Sequence, residues 1–295
     1  MGHDNAPWSC ITVDLHSLDL PEDIAFASEW LAGEGVTATF FIPGALLLEP
    51  RYASVLRALP GLGHEVANHS HQHDWREADA LVTGRGLGFL GDARALHEDF
   101  FRCAPLSFRA PYWSPLASAT AAELARLGYQ VDSSATPQRL PLLSSRPFAA
   151  GWLFTPRRPH ALAPGLLEVP TSTFLVPAGG STFLILRRVT HAYLALLEAE
   201  ARWTRDRVLV VQLHVEDLNP ATRRVRGFGP PTWHDLVLRR RGGVGLKWAL
   251  QEHDPQRITP LHHGLVRHLA TLRCGRLADV ARAWTAERTT AARRA

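Results

Sequence analysis

Short β-prone runs alternate with helix-length segments through most of this chain, and several of the runs end in a residue able to do chemistry. That alternation predicts an α/β fold with a mostly parallel sheet, because a parallel strand needs a crossover, usually helical, before the next. Residues 10–13 are the first strand, ending at Asp14. A helix follows over 21–32, with Pro21 in the first turn, where its missing N–H does no harm, and Gly33 and Gly35 as the stop. Strands are predicted over 36–42, 64–67, 107–109, 129–132 and 166–169, and helices over 50–59, 91–103, 118–127 and 190–204. Residues 207–214 are the most continuous buried-strand pattern. Residues 137–165 are rich in Pro and Arg and read as long loops with at most short strands. Beyond Pro220 the chain is loop-like, with Gly242, Gly243 and Pro255 as breakers, before helices near 260–272 and 277–287. With no internal repeat and no linker, the expectation is one catalytic domain over 1–295: a core of about 9–220, a loop-rich and helical extension over 221–287, and a frayed tail over 288–295.

Composition narrows the function classes. A hydrophobic content of 46% is enough for a real core. The net charge of +4 is mild, and the cations are almost all Arg, Lys247 being the single lysine. Runs such as Arg239-Arg240-Arg241 read as solvated surface, since no nucleic-acid-binding motif accompanies them. Cys10, Cys103 and Cys274 are too few and too scattered for a disulfide framework or a thiolate metal site. The first residues lack a basic stretch followed by an apolar one, and no run is long enough to span a bilayer. A cytoplasmic protein with no membrane span is therefore expected.

The densest chemistry lies in Asn68-His69-Ser70-His71-Gln72-His73-Asp74-Trp75. His69 and His73 stand four positions apart, which on a helical turn puts both imidazoles on one face, within reach of a single ion. His71 would then point away. A lone pair of this kind is as compatible with a polar surface loop. Other polar residues recur at predicted strand ends: Asp14 and His16, Arg109, Asp132, and His214. Singly, each has an ordinary reading. Asp14 could cap a turn, Arg109 could form a surface ion pair, and His214 could be a hydrogen-bonded core histidine. His64, His71, His262 and His263 are read as structural or surface residues.

Taken in order, these segments resemble the polysaccharide deacetylase family, also called NodB-homology or carbohydrate esterase family four. The resemblance spans about residues 11–220 through five short motifs. Thr12-Val13-Asp14-Leu15-His16 matches the aspartate pair that ends the first strand, with Asp14 in the general-base position and His16 where the family's second carboxylate would stand. His69, Ser70 and His73 match the two-histidine motif. Arg109, Pro111 and Tyr112 match the third, and Tyr129 to Ser133 the fourth, with Asp132 near the base–arginine network. Leu213-His214 matches the fifth, with His214 as general acid. A subgroup tied to exopolysaccharide and surface-glycan synthesis is nearest, through Asp132-Ser133-Ser134 and through His214 with Glu216 and Asp217.

The resemblance implies a distorted (β/α) barrel and metal-dependent removal of an N-acetyl group from an amino sugar. One divalent ion, Zn²⁺ first, would be held by His69, His73 and His16, with Asp19 or Asp14 as alternatives for the third position. Asp14 would be the base, Arg109 and Asp132 its support, His214 the acid, and Tyr112 and Trp113 the surface for the sugar. A cytoplasmic enzyme would meet a small, lipid-linked, nucleotide-linked or natural-product sugar, and Arg157 and Arg158 could hold a phosphate. The alternatives on the same fold are a deformylase, an O-acetyl esterase or a cyclic amidohydrolase. An inactive, metal-free glycan binder is kept open by His16.

Overall fold

The computed structural model describes residues 6–138, 152–204, 206–219 and 255–294. The basic run at 239–241, the breakers Gly242 and Gly243, and much of the expected loop at 137–165 lie outside them. Strands β1 (Trp8–Asp14), β2 (Thr39–Ile42), β3 (Glu65–Asn68), β4 (Ser107–Phe108), β5 (Val131–Asp132), β6 (His160–Ala163), β7 (Leu166–Glu168) and β10 (Leu209–His214) form one sheet in the order β10-β1-β2-β3-β4-β5-β7-β6. Every pairing along it is parallel except β6 with β7, which is antiparallel. A short strand β11 (Arg273–Cys274) also joins β1. Strand β6 is a short strand inside the stretch read from sequence as long loops with at most short strands. Its pattern is too short and too interrupted by a bulge to show a period of two.

Between β7 and β10 the wall is closed by an irregular segment. Ser172 N donates to Val210 O at 3.0 Å, and Gln212 N to Ala178 O at 3.0 Å. The small ribbon of β8 (Thr173–Phe174) and β9 (Val176–Pro177) hangs from this seam. The result is a distorted (β/α) barrel whose wall is complete but not all strand.

Strand alternation divides the side chains between two cores. Outward-facing Ile11, Val13, Phe40, Val211 and Leu213 pack against α1 (Pro21–Gly33), α3 (Ala53–Ala58), α8 (Thr190–Thr204) and α10 (Pro255–Ala270). Inward-facing Cys10, Phe41, Ala67, Val131, Val169 and Val210 meet Leu277, Val280 and Ala281 of α11 (Leu277–Arg294). The first turn of α11 therefore closes the barrel at the strands' N-terminal end, leaving the other end open for Asp14, His69, Arg109 and His214. Helix α10 contains Pro260 and α11 begins right after β11, which is why the sequence pattern alone starts the former five residues late.

Glu65 ties this closure together. Its Oε2 accepts from Thr39 Oγ1 at 2.9 Å and from Ala278 N at 3.1 Å, and its Oε1 accepts from Ser107 Oγ at 2.5 Å. One carboxyl thus links β2, β4 and the N-terminus of α11, where a helix exposes unpaired N–H groups. Burial pushes its pKa up. Glu65→Ala leaves the Ala278 and Ser107 donors without this acceptor and should lower unfolding stability by roughly 2 kcal/mol. A urea midpoint and slope matching the parent protein would show that α11 is held without it.

Candidate metal centre and active site

Asp14 is the last residue of β1, in register with His214 on β10 and with Phe41 on β2. Its side chain enters the barrel mouth and is met by Arg109, which leaves β4 fully buried. Arg109 Nη1 donates to Asp14 Oδ1 at 2.6 Å and to Thr12 Oγ1 at 2.8 Å. Its Nε donates to Ser133 O at 2.8 Å and Nη2 to Ser133 Oγ at 2.9 Å. The guanidinium also lies 4.2 Å from the Phe41 ring centroid. Burial is the largest influence and would raise the Asp14 pKa, but the Arg109 charge and hydrogen bond, with His69 and His214, together hold the carboxyl below its ordinary value. Asp14 is thus an ionised carboxylate inside a dry site.

The second carboxylate oxygen faces the histidines. Asp14 Oδ2 lies 3.9 Å from His69 Nε2 and accepts from Gln212 Nε2 at 3.1 Å. The same Gln212 nitrogen is 3.2 Å from His214 Nε2, so Gln212 bridges the expected base and the expected acid. His214 Nδ1 lies 3.6 Å from the buried carboxylate of Asp217, which also accepts from the His214 backbone N–H at 2.9 Å. The sequence reading missed Gln212. Its only signal is its place two residues before His214, which strand alternation puts on the same face.

One nitrogen from each of His16, His69 and His73 lies within 4.8 Å of the others. The ring centroids of His16 and His73 are 4.7 Å apart, and those of His69 and His73 4.6 Å. His69 Nδ1 is 2.8 Å from Arg109 O, a contact in which only a protonated Nδ1 can take part, so the Nε2 lone pair is left toward the cluster. Burial lowers the His69 pKa. Burial first, and then the neighbouring His69, bring His73 down to about 3. Neutral, converging imidazoles with a fixed tautomer are the donor set a divalent ion such as zinc takes. Asp19 does not join them: its Oδ2 accepts from the His16 backbone N–H at 2.7 Å and closes the turn after β1.

The histidine loop is not the helical turn its spacing suggests. Ser70 and His73 both have positive φ, 69° and 58°. The loop is wrapped around one carboxylate instead. Glu77, in α4 (Trp75–Thr83), accepts from Ser70 Oγ at 2.5 Å, from Gln72 N at 2.8 Å, from His73 N at 2.9 Å and from His71 N at 3.3 Å. Asp74 caps the same helix, accepting from the N–H groups of Arg76 and Glu77. His71 packs against Gly44, where a Cβ would come within 2.7 Å of its Nδ1. The i to i+4 spacing works here because Glu77 gathers the loop N–H groups, not because a helix aligns the rings.

Tyr112 braces this loop. Its hydroxyl donates to His73 O at 3.0 Å, and its ring stacks on Trp75 at 3.7 Å between centroids. Trp113 is half-buried, and its carbonyl accepts from Trp152 Nε1 at 2.6 Å. Both hold left-handed backbone, with φ of 58° and 53°. Asp132 is not part of the inward-facing set. Alternation along β5 puts it on the face opposite Ser133, and its Oδ1 accepts from Ser134 Oγ at 2.6 Å. Arg157 and Arg158 are engaged by Glu200 and Asp206. A cavity of about 470 Å³ between α11 and the β5–β7 edge, lined by Gln130, Gly165 and Leu167, lies at the strands' N-terminal end, away from the histidines.

No family model and no curated protein matches the chain. Among solved structures, an assigned polysaccharide deacetylase from Mycobacterium smegmatis is similar with a TM-score of 0.56 at 17% identity, over 97% of this chain and 92% of that one. Puue allantoinase is similar with a TM-score of 0.52 at 12% identity, over 96% and 92%. At these identities the likeness establishes the fold. No helix among the described residues is long and apolar enough to cross a membrane.

Two expectations follow from this geometry. Glu77→Gln substitutes one acceptor oxygen by an amide donor facing loop N–H groups, and it should weaken zinc affinity about 10–100-fold. Competition with a chromophoric chelator reads this directly, and unchanged affinity would mean that the loop is ordered by other contacts. The second concerns pH. His73, and His97 outside the site, buried in the helix Gly88–Phe101 with its Nε2 2.9 Å from Ile42 O, sit at about 3 and about 4 in the folded protein because burial disfavours their charge, against 6.5 when free. Below pH 6.5 the unfolded chain therefore binds more protons. Metal-free protein should lose stability from pH 6.5 toward 4, by up to roughly 1.4 kcal/mol per pH unit per histidine. A melting temperature that stays flat over that interval in chelator would contradict it.

Proposed function

We propose that this chain, built on the polysaccharide deacetylase fold, is a metal-dependent hydrolase that removes the N-acetyl group from an amino sugar. The observation that carries the reading is the convergence of His16, His69 and His73 beside an Asp14 carboxylate clamped by a fully buried arginine. In this reading His16, His69 and His73 hold one divalent ion, zinc by its preference for neutral imidazole. When bound, that ion supplies Lewis acidity, polarising the amide carbonyl and acidifying water beside it.

The chain's own groups do the rest. Arg109 occupies Asp14 Oδ1, which leaves Oδ2, facing the histidines, to take a proton from the attacking water. Because Arg109 keeps Asp14 ionised at neutral pH, the base needs no activation. The backbone at Tyr112 is assigned to the developing oxyanion. His214 is the acid. Gln212 Nε2 donates to Asp14 and lies 3.2 Å from His214 Nε2, while Asp217 lies on the Nδ1 side of the same ring. The form that protonates the departing amine is the imidazolium, stabilised by Asp217. Trp113 is assigned to the apolar face of the sugar ring, whereas Tyr112 is already covered on one face by Trp75. Asp132 supports the site from behind rather than touching substrate.

A second reading, hydrolysis of a cyclic amide, draws on the likeness to an allantoinase. Acetate release separates the two. Zinc-loaded protein should liberate acetate from an N-acetylated amino sugar and lose that activity in chelator. Asp14→Asn should bind zinc normally and lose turnover about 10²–10⁴-fold, since an amide cannot accept the water's proton. His16→Ala should instead weaken zinc binding. Full turnover in Asp14→Asn at equal zinc content would remove Asp14 from the base role. Ring opening of a cyclic amide without acetate release from any N-acetyl sugar would favour the second reading.

A further inference from the structure

Two buried carboxyl groups touch none of the reacting groups named above, and they lie side by side. Asp132 on β5 and Glu168 on β7 are register partners on parallel strands, on the face turned away from the barrel mouth. Both are fully buried. Each has one oxygen engaged: Asp132 Oδ1 accepts from Ser134 Oγ at 2.6 Å, and Glu168 Oε1 accepts from Ala135 N at 3.0 Å. The other two oxygens, Asp132 Oδ2 and Glu168 Oε2, meet no donor among the described residues. Two ionised carboxylates cannot sit together in a dry interior with their oxygens facing and no donor between them. A single proton removes the difficulty by making one group the donor to the other. Burial raises both groups, and the neighbouring Asp132 raises Glu168 further.

We propose that Glu168 holds a proton donated to Asp132, and that this pair is a positioning device for Arg109. The linkage is short. Asp132 fixes the Ser134 hydroxyl, whose oxygen accepts from Ala110 N at 2.8 Å, the residue after Arg109. Glu168 fixes Ala135 N, one residue further along the same segment. Between these anchors lies Ser133, whose carbonyl and hydroxyl grip the Arg109 guanidinium and whose hydroxyl donates to Val169 O at 2.8 Å. The pair thus sets the far side of the clamp whose near side is Asp14. A neutral partner at Glu168 also keeps a second full negative charge away from Arg109, leaving its charge directed at Asp14. Glu168 acts through Ser133 and Arg109 and touches no substrate.

The test uses the full-length, zinc-loaded protein. Glu168→Gln keeps the geometry of a protonated Glu168, since its amide can donate to Asp132 Oδ2 while its oxygen accepts from Ala135 N. Glu168→Leu keeps bulk but no donor. Infrared spectra of the parent protein at neutral pH should show a carboxylic acid carbonyl band that disappears in Glu168→Gln. Absence of that band in the parent would overturn the shared proton, whatever the protein hydrolyses. The Arg109 Nε–H resonance should be preserved in Glu168→Gln and shifted, with faster exchange, in Glu168→Leu. The kinetic arm rests on the deacetylase reading: Glu168→Gln should stay close to the parent, and Glu168→Leu should lose turnover about 10–100-fold at nearly constant KM. An unmoved Arg109 resonance in folded Glu168→Leu would overturn the positioning role. If no acetyl sugar is hydrolysed by the parent, the hydrolase reading fails while the infrared and resonance arms still decide this one.

Discussion

A guanidinium with no solvent contact has to be answered on every side, and Arg109 is such a group. Its donors are met by Asp14, Thr12 and Ser133, and its face by Phe41. These residues come from β1, β2 and the segment after β5, so the ion pair can form only when the sheet has curled far enough to bring those strand ends together. Removing one partner of a buried pair leaves an uncompensated charge, typically a loss of about 3–5 kcal/mol. The same pair keeps Asp14 ionised in a dry mouth. Fold closure and an ionised Asp14 are therefore one interaction seen from two sides, and the Arg109 carbonyl extends it to the histidines by fixing the tautomer of His69.

The parts of this arrangement that were legible in sequence are those set by local period. Strand β10 and helix α8 are long enough for their patterns to be unambiguous, and the strand-end positions of Asp14, His69, Arg109 and His214 follow from where each β-prone run stops. What was not legible depends on contacts distant in sequence. Nothing near Glu168 marks it as a neighbour of this network, and Gln212 is marked only by its alternation with His214: Glu168 is 36 positions from Asp132 and Gln212 is 198 from Asp14. Glu77 looks like an ordinary first-turn glutamate, and only the left-handed Ser70 and His73 reveal that the loop folds back on it. Short runs are legible only as a possibility: β6, four residues long, fits the short strands allowed for 137–165 but its bounds could not be read.

Asp132 illustrates a different limit. Motif order put it near the base–arginine network, and it is near in sequence to Ser133, which grips Arg109. Alternation decides the matter, because adjacent residues of a strand point to opposite faces. Ser133 therefore takes the inward position and Asp132 the outward one, where it meets Glu168 rather than the reacting groups. A motif read as a string assigns roles to letters. Read with the period of the strand, it assigns them to faces.

The histidine in place of the family's second carboxylate matters most through charge. Burial lowers the pKa of His69 and His73, and the Asp14 carboxylate, 3.9 Å from His69 Nε2, is already balanced by Arg109. A carboxylate at position 16 would bring a second negative charge up to Asp14, raising the Asp14 pKa and drawing on the same arginine. His16 avoids that conflict, and the turn holding it is built for the purpose: Asp19, buried, caps its backbone N–H, while Tyr52 donates to the Asp19 carbonyl from beneath. An all-imidazole set also leaves a bound cation with its full charge, which strengthens its pull on a carbonyl oxygen or on a nearby water. The departure at residue 16 thus keeps a further carboxylate away from the one that Arg109 holds.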